Sequence, residues 1–346
     1  MQRVTIIGLG LIGGSIGLGL RQWSEAQGNG KAVLEVTGFD TDLDQQHHAQ
    51  KIKAVDHASW DLTRAVDGAD LLIVATPVGA IEQTFETIGP LLKAGAVVTD
   101  TGSTKADVLA SARRLLPTTV SFVGGHPMAG KAQSIEAAEA DLFKGATWCV
   151  APSVSATEEA VRTVLGMVAA LGAEPFFIDP DEHDAYVAGI SHLPFTVSAA
   201  LMRTVSADPS WRDMKSLTAG GFRDVSRLAA GSPVMHRDIL LSNRPAVSRW
   251  LDSYIEMLTT LRRNLDAGDE AASDALLNFF TEARDARAEW ATQTSREGEL
   301  LHGTGAELST EGISDQMGRM LLGGFGKRRR AAAERSAGPA TDKRRG

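Results

Sequence analysis

One cysteine, Cys149, stands in 346 residues, so no internal disulfide framework can form and the reducing cytoplasm is the simplest setting. A lone free cysteine reads as a small buried apolar residue. No stretch reads as long and apolar enough to span a bilayer, so no membrane association is expected. The opening VTIIGLGLIGGSIGLGL is apolar, but only Arg3 precedes it among charged residues, six glycines interrupt it and no small-residue cleavage site follows, which argues against a secretory leader. His, Cys and carboxylate residues are nowhere spaced as a ligand set, so no metal is expected. No repeat recurs at solenoid periods. Positive charge is scarce outside one end: the net charge is −8, yet from Lys327 to Gly346 eight Lys/Arg face only Glu334 and Asp342, a net +6 that leaves −14 on the preceding residues. Such a body would repel nucleic acid. The Gly, Pro, Ala and charge content of the tail suits a solvated, disordered end.

The chain is longer than one hydrophobic core usually grows, which predicts two domains. Short β-branched runs at 4–7, 34–39, 71–75, 96–100, 120–124, 147–151 and 174–178 alternate with helical patterns. Alternation of this kind means βαβ units and a parallel sheet, and nearly all-apolar runs mean helices on both faces. From residue 181 to 299 only helical periodicity appears, broken at Asp208-Pro209, Gly220-Gly221, Gly231-Ser232-Pro233 and Ala267-Gly268. Helices predicted over 243–266 and 270–293 are apolar over more than a narrow stripe, which suggests burial against a second copy as well as their own domain. The expected organisation is a doubly wound α/β domain over 1–179, a helical domain over 180–305 and an extension over 306–346 ending in the basic tail.

GLGLIG at 8–13 fits G-x-G-x-x-G, with a strand before it and a helix after it. Gly8 permits the tight turn, Gly10 admits a pyrophosphate, and Gly13 lets helix and strand pack closely. Leu11 and Ile12 open the helix whose free N–H groups favour an anion. Asp40 in GFDTD ends the second strand, placed to hold ribose hydroxyls, and the polar insert SEAQGNGK accounts for its distance from the loop. With Asp42 beside it and no arginine nearby, a 2′-phosphate is disfavoured, so NAD is expected rather than NADP. Thr76, Pro77 and Thr101 follow later strands on the same edge. This is the pattern of a Rossmann-type nucleotide domain.

In such a sheet ligands bind beyond the carboxyl ends of the strands. TGSTK (101–105) follows one strand and GHPMAG (125–130) the next, which brings Ser103 and His126 to the nicotinamide end.

DTGSTK, GHPMAG, HDAYVAGISHLPF (183–195) and GGFRDVSRLAAGSPVMHRDI (220–239), in that order behind the glycine loop, resemble the prephenate/arogenate dehydrogenase family of tyrosine biosynthesis over roughly residues 1 to 300. The resemblance implies a helical domain that forms homodimers, and oxidative decarboxylation of a cyclohexadienyl carboxylate at the expense of NAD(P)+. Such chemistry needs a base for the hydroxyl proton, and a neutral imidazole suits it. His126 fits, with Ser103 orienting it or sharing the hydroxyl hydrogen bond. The substrate's carboxylates call for arginine, whose fork binds them bidentately. Arg223 is the residue the resemblance implies, with Arg227 and Arg237 as weaker candidates. His192 takes the family's position at the substrate edge, and His183 reads as structural at the domain junction.

One position departs from the family. Many members read SHLPH where this chain has SHLPF, and the phenyl ring of Phe195 can neither donate nor accept the hydrogen bond of that histidine. Selectivity between a keto-acid and an amino-acid side chain, and inhibition by tyrosine, therefore stay open. The remainder after about residue 300 reads as too short for a regulatory domain. A relative acting on another cyclohexadienyl acid, a non-catalytic sensor of NAD and a carboxylate, and a generic hydroxy acid dehydrogenase remain alternative readings.

Overall fold

The structure, a computed structural model, describes residues 2–303 apart from 29 and 131–133, with side chains described to residue 292. The basic tail and the 306–346 extension lie outside the described residues.

Strands and helices alternate as β1 (Gln2–Ile7), α1 (Leu11–Gln27), β2 (Leu34–Phe39), α2 (Leu43–Lys51), β3 (His57–Ala58), α3 (Leu62–Val66), β4 (Leu71–Val74), α4 (Val78–Ile88), β5 (Val97–Asp100), α5 (Ala106–Leu115), β6 (Ser121–Pro127), β7 (Thr147–Pro152), α6 (Glu158–Ala170) and β8 (Glu174–Phe177). From there the described elements are helical: α7 (Pro180–Val187), α8 (Leu193–Ser206), α9 (Trp211–Met214), α10 (Gly220–Ser226), α11 (Pro233–Ser242), α12 (Arg244–Ala267) and α13 (Glu270–Gly303). Local chemistry explains several starts. Asp42, Asp61 and Thr157 cap α2, α3 and α6 through their side-chain oxygens. Asp179 caps α7 and Ser232 caps α11, each followed by a proline whose missing N–H costs nothing in a first turn.

The strands form one sheet in the order β3-β2-β1-β4-β5-β6-β7-β8. The order in which strands are added reverses at β1, which pairs in parallel with β2 on one side and β4 on the other. That reversal opens a crevice at the carboxyl ends, the usual nucleotide position in this architecture. Helices α4 and α5 cover one face, where Phe85 meets Phe122 edge-on at 5.4 Å among Ile81, Ile88, Val98 and Val108.

Four features differ from the sequence reading. The sheet is mixed, because β7 runs antiparallel to β6. Among its described residues the connection between them carries a single 3-10 turn, Ile135–Ala137, and no crossover helix of the kind that parallel pairing needs. Strand β6 also runs on to Pro127, so His126 is a strand residue, paired with Cys149, rather than a loop residue. Two-residue β3 has no pattern long enough to betray it. Finally, residues 180–206 form one helical run long and apolar enough by length and composition to cross a bilayer. A π-turn, Ala188–His192, fuses α7 to α8, and Pro194 falls in the first turn of α8, where it breaks nothing. Buried His183, Asp184 and His192 lie on this run.

The chain packs as two compact units, Met1–Trp250 and another beginning at Leu251. Residue 179 therefore marks where strands give way to helices, while α7 to α11 belong to the same packed unit as the sheet.

Candidate active site

Gly8 follows β1 with φ of +97°, and a Cβ on it would stand 2.6 Å from the Ala75 carbonyl oxygen. A Cβ on Gly13 would meet the Gly8 oxygen at 1.9 Å, so α1 presses directly on the turn. Gly10 is different: it is the extended N-cap of α1, nothing lies within 4 Å of where its Cβ would be, and no side chain caps the helix. The first-turn N–H groups, at Leu11 and Ile12, are thus left for an anion. Asp40, just past β2, accepts from Leu9 N at 2.7 Å and Asp42 N at 2.9 Å, which fixes its carboxylate beside the glycine turn. Thr76 and Pro77 follow β4, and Thr76 Oγ1 is buried without a hydrogen-bond partner among the described residues. Thr101, half-buried, ties its N–H to Val74 O at the end of β4. An open helix terminus, a fixed carboxylate and an orphaned hydroxyl around one crevice fit a dinucleotide.

Two strands over, the chain builds a base. Buried Asp100 ends β5 and takes an ion pair from Lys105 Nζ, both groups being fully enclosed. Its other contacts are Gly102 N at 2.8 Å and Gly125 N at 3.1 Å, so one carboxylate holds the β5–α5 loop and the residue before His126. A Cβ on Gly125 would come within 2.6 Å of the Asp100 carbonyl and 2.8 Å of Trp148 Nε1. The glycine before the histidine is the condition for that close approach.

His126 is buried, and its Nδ1 lies 2.9 Å from His183 Nε2 with the rings edge-on at 70°. His183 Nδ1 in turn lies 2.8 Å from Asp184 Oδ1. Asp184 also accepts from the backbone N–H of Lys105 at 2.7 Å and of Ala106 at 3.0 Å, so its two oxygens serve as acceptors at the start of α5. The proton positions follow in order. Asp184 accepts, so His183 donates from Nδ1; a neutral ring that donates there accepts at Nε2; His126 therefore donates from Nδ1 and keeps a lone pair on Nε2. Burial above all, then His183, Lys105 and His192, holds the His126 pKa well below the ordinary histidine value, so the ring stays neutral and able to accept a proton.

His192, at the end of the π-turn, is fully buried. Asn243 Nδ2 donates to the Asp184 carbonyl at 2.7 Å and lies 3.2 Å from His192 Nδ1, which makes Nδ1 the acceptor and puts the proton on Nε2. Among the described residues that Nε2 makes no hydrogen bond of good geometry. Burial pushes the His192 pKa down to about 4, against the opposing pull of the Asp184 carboxylate and the Ser103 backbone. A buried N–H without a partner costs about 1–3 kcal/mol, a cost that an acceptor reaching it would offset.

Of the other expected site residues, Ser103 is half-buried on the β5–α5 loop, but its hydroxyl bonds to neither imidazole among the described residues; the partner that orients His126 is His183. His183, read from sequence as merely structural, thus belongs to the site. Arg223 on α10 and Arg227 just after it are exposed, with no carboxylate partner among the described residues, and α10 packs on α8. Arg237 is engaged by Asp238 at 2.7 Å. Sequence reasoning also missed Asp100, Lys105, Asp184 and Asn243; the first three lie inside or beside the quoted motifs, while Asn243 carries no local signal. No cluster with metal-ligand geometry occurs among the described residues.

Two buried neutral histidines make stability depend on pH. Their folded pKa values lie below the unfolded value near 6.5, so the unfolded chain binds more protons between the two. Stability is full above about pH 6.5 and falls as the pH drops towards 4; at pH 5 His192 alone should remove about 2 kcal/mol. Urea midpoints at pH 7.5 and 5.0 measure this, and equal midpoints would contradict it.

The family profile "Prephenate dehydrogenase, nucleotide-binding domain" matches residues 26–176, and "Prephenate dehydrogenase, dimerization domain" matches 179–282. The glycine loop lies ahead of the first match. A prephenate dehydrogenase of Bacillus subtilis (strain 168) is 34% identical over 290 residues, 82% of this chain and 75% of the relative. Among solved structures, a prephenate dehydrogenase from A. aeolicus in complex with hydroxyphenyl propionate and NAD+ superposes with a TM-score of 0.75 at 26% identity, covering 84% of this chain and 98% of that one. An arogenate dehydrogenase of Synechocystis superposes at 0.67 with 28% identity, covering 84% and 100%.

Proposed function

The chain belongs to the prephenate dehydrogenase family, and from that membership we propose that it catalyses the NAD-dependent oxidative decarboxylation of prephenate, arogenate or both in tyrosine biosynthesis. The observation that carries the reading is the ordered chain Asp184–His183–His126, which leaves one imidazole lone pair available beside a nucleotide crevice.

Gly8, Gly10, Gly13 and the first turn of α1 would hold the pyrophosphate, Asp40 the adenosine ribose, and Thr76, Pro77 and Thr101 the nicotinamide half. When bound, the nicotinamide supplies an acceptor for the hydride that leaves the hydroxyl-bearing ring carbon. The carboxylate of Asp40, with Asp42 next to it, favours NAD over NADP by repelling a 2′-phosphate.

His126 Nε2 takes the hydroxyl proton as carbonyl character develops on that carbon. The positive charge then spreads to His183, whose Nδ1–H faces the Asp184 carboxylate. His192 Nε2–H donates to the oxygen as it becomes a carbonyl, which satisfies a donor left bare among the described residues. Ser103, on the adjacent loop, lies within the same region and can share that oxygen. Departure of the ring carboxylate as carbon dioxide returns its bonding electrons through the ring to this oxygen, and His126 hands the proton back to the phenolate. The histidine ends neutral, as it began. Arg223 and Arg227, free of carboxylate partners among the described residues, bind the substrate's acids by paired N–H donors.

Exposed Ile255, Met257, Leu258, Leu277 and Phe280 on α12 and α13 support a homodimer formed through the helical region. The cytoplasm is the proposed location.

Reduced-cofactor formation by the purified chain tests the reading, with prephenate and arogenate supplied separately and NAD+ compared with NADP+. Turnover of at least one acid with carbon dioxide release, faster with NAD+, is expected. Silence with both acids while NAD+ binds would refute it.

A further inference from the structure

Phe195 removes an imidazole from α8, and the structure shows another one lying on top of it. The His236 ring, from α11, stacks on Phe195 with centroids 4.2 Å apart and planes within 4°. Phe195 also stands 5.9 Å from the fully buried ring of His192. Exposure rises through the three rings: His192 and Phe195 are buried, and His236 is half-exposed. Gly231 makes room for the outermost ring, since a Cβ there would lie 2.6 Å from both Cε1 and Nε2 of His236. Neither ring nitrogen of His236 has a hydrogen-bond partner among the described residues. Its neighbour Asp238 is already paired with Arg237.

The substrate class carries its hydroxyl and its three-carbon acid on opposite sides of a six-membered ring. With the hydroxyl at His126 and His192, the three-carbon acid extends away from them, and Phe195 and His236 are the next rings packed beyond His192. We infer that His236, held flat against Phe195, donates the hydrogen bond to the three-carbon side chain and selects a keto acid over the corresponding amino acid. The inference rests on the proposed dehydrogenase activity. An imidazole N–H complements a keto oxygen, whereas an ammonium group gains most from a carboxylate, and Asp238, two residues along the chain, is engaged by Arg237. Phe195 contributes a flat face that fixes the orientation of the donor ring.

The test is the ratio of kcat/KM for prephenate to that for arogenate in the wild type, His236→Phe and the double variant His236→Phe, Phe195→His. The wild type should favour prephenate. His236→Phe preserves an aromatic stack and removes the donor, so the ratio should fall by about 3- to 10-fold through the KM for prephenate, with kcat less affected. The double variant returns an imidazole to the same stack one ring inward and should recover part of the ratio. A wild-type preference for arogenate, or an unchanged ratio in a folded His236→Phe that still turns over, would overturn the inference while leaving the dehydrogenase reading intact. No turnover of either acid by the wild type would instead overturn that reading, and this inference with it.

Discussion

His126→Asn should lower kcat by about two to four orders of magnitude, the usual span for removing a positioned general base. The effect belongs to kcat because the lone pair on Nε2 is used only as the hydroxyl loses its proton. Asparagine keeps an N–H able to reach His183 and roughly preserves the local volume, so folding is not the reason for the loss. The nucleotide crevice is built from other strands, and NAD+ affinity should be unchanged. Steady-state kinetics combined with calorimetric NAD+ binding separate the two quantities. Turnover within tenfold of the wild type would remove His126 from the chemistry.

Asp184→Asn should have an effect of similar size by a different route. An amide offers one acceptor oxygen and a donor nitrogen. Asp184 Oδ1 takes both the Lys105 N–H and His183 Nδ1 while Oδ2 takes the Ala106 N–H, so in the orientation that keeps the amide oxygen on Ala106 the nitrogen faces His183 Nδ1. His183 must then accept at Nδ1 and donate from Nε2, and His126 must accept at Nδ1 and carry its proton on Nε2. The lone pair needed for catalysis has moved to the wrong side of the ring. In a Ser-His-Asp triad the same exchange inverts the imidazole and costs about 10⁴ in kcat. Nitrogen-15 NMR of the histidine rings reads the tautomer directly: the wild type should show His126 protonated at Nδ1 and the variant at Nε2. Full activity, or an unmoved tautomer, would show that Asp184 does not set the proton order.

The strands, the glycine loop and the helical half were legible because each is written locally. β-Branched runs, a G-x-G-x-x-G turn and helical periodicity need no distant partner to be recognised. Asp40, Ser103 and His126 could be assigned to one sheet edge because the strand-end rule places them there whatever their side chains touch. The partner of His126 could not be found in this way. His183 lies 57 residues away and is joined to His126 by a single contact whose existence depends on how α7 meets the sheet. Its neighbour Asp184 looks, in sequence, like one more acid in DPDEHD. The antiparallel turn of β7 was hidden for a related reason: an apolar strand has no direction in its composition.

Asp184 also does something for α5 that no residue of α5 does for itself. The N-cap residue of that helix is Lys105, which offers no side-chain acceptor, and the two backbone donors there are closed by a carboxylate from 78 or 79 residues further along the chain. The same two oxygens therefore end a helix and order a proton. Any fluctuation that draws α7 away from α5 uncaps the helix and releases the tautomer at one stroke. Readiness for catalysis is thereby tied to local order, and amide exchange at Lys105 and Ala106 should report, without any substrate present, the fraction of molecules whose base is set.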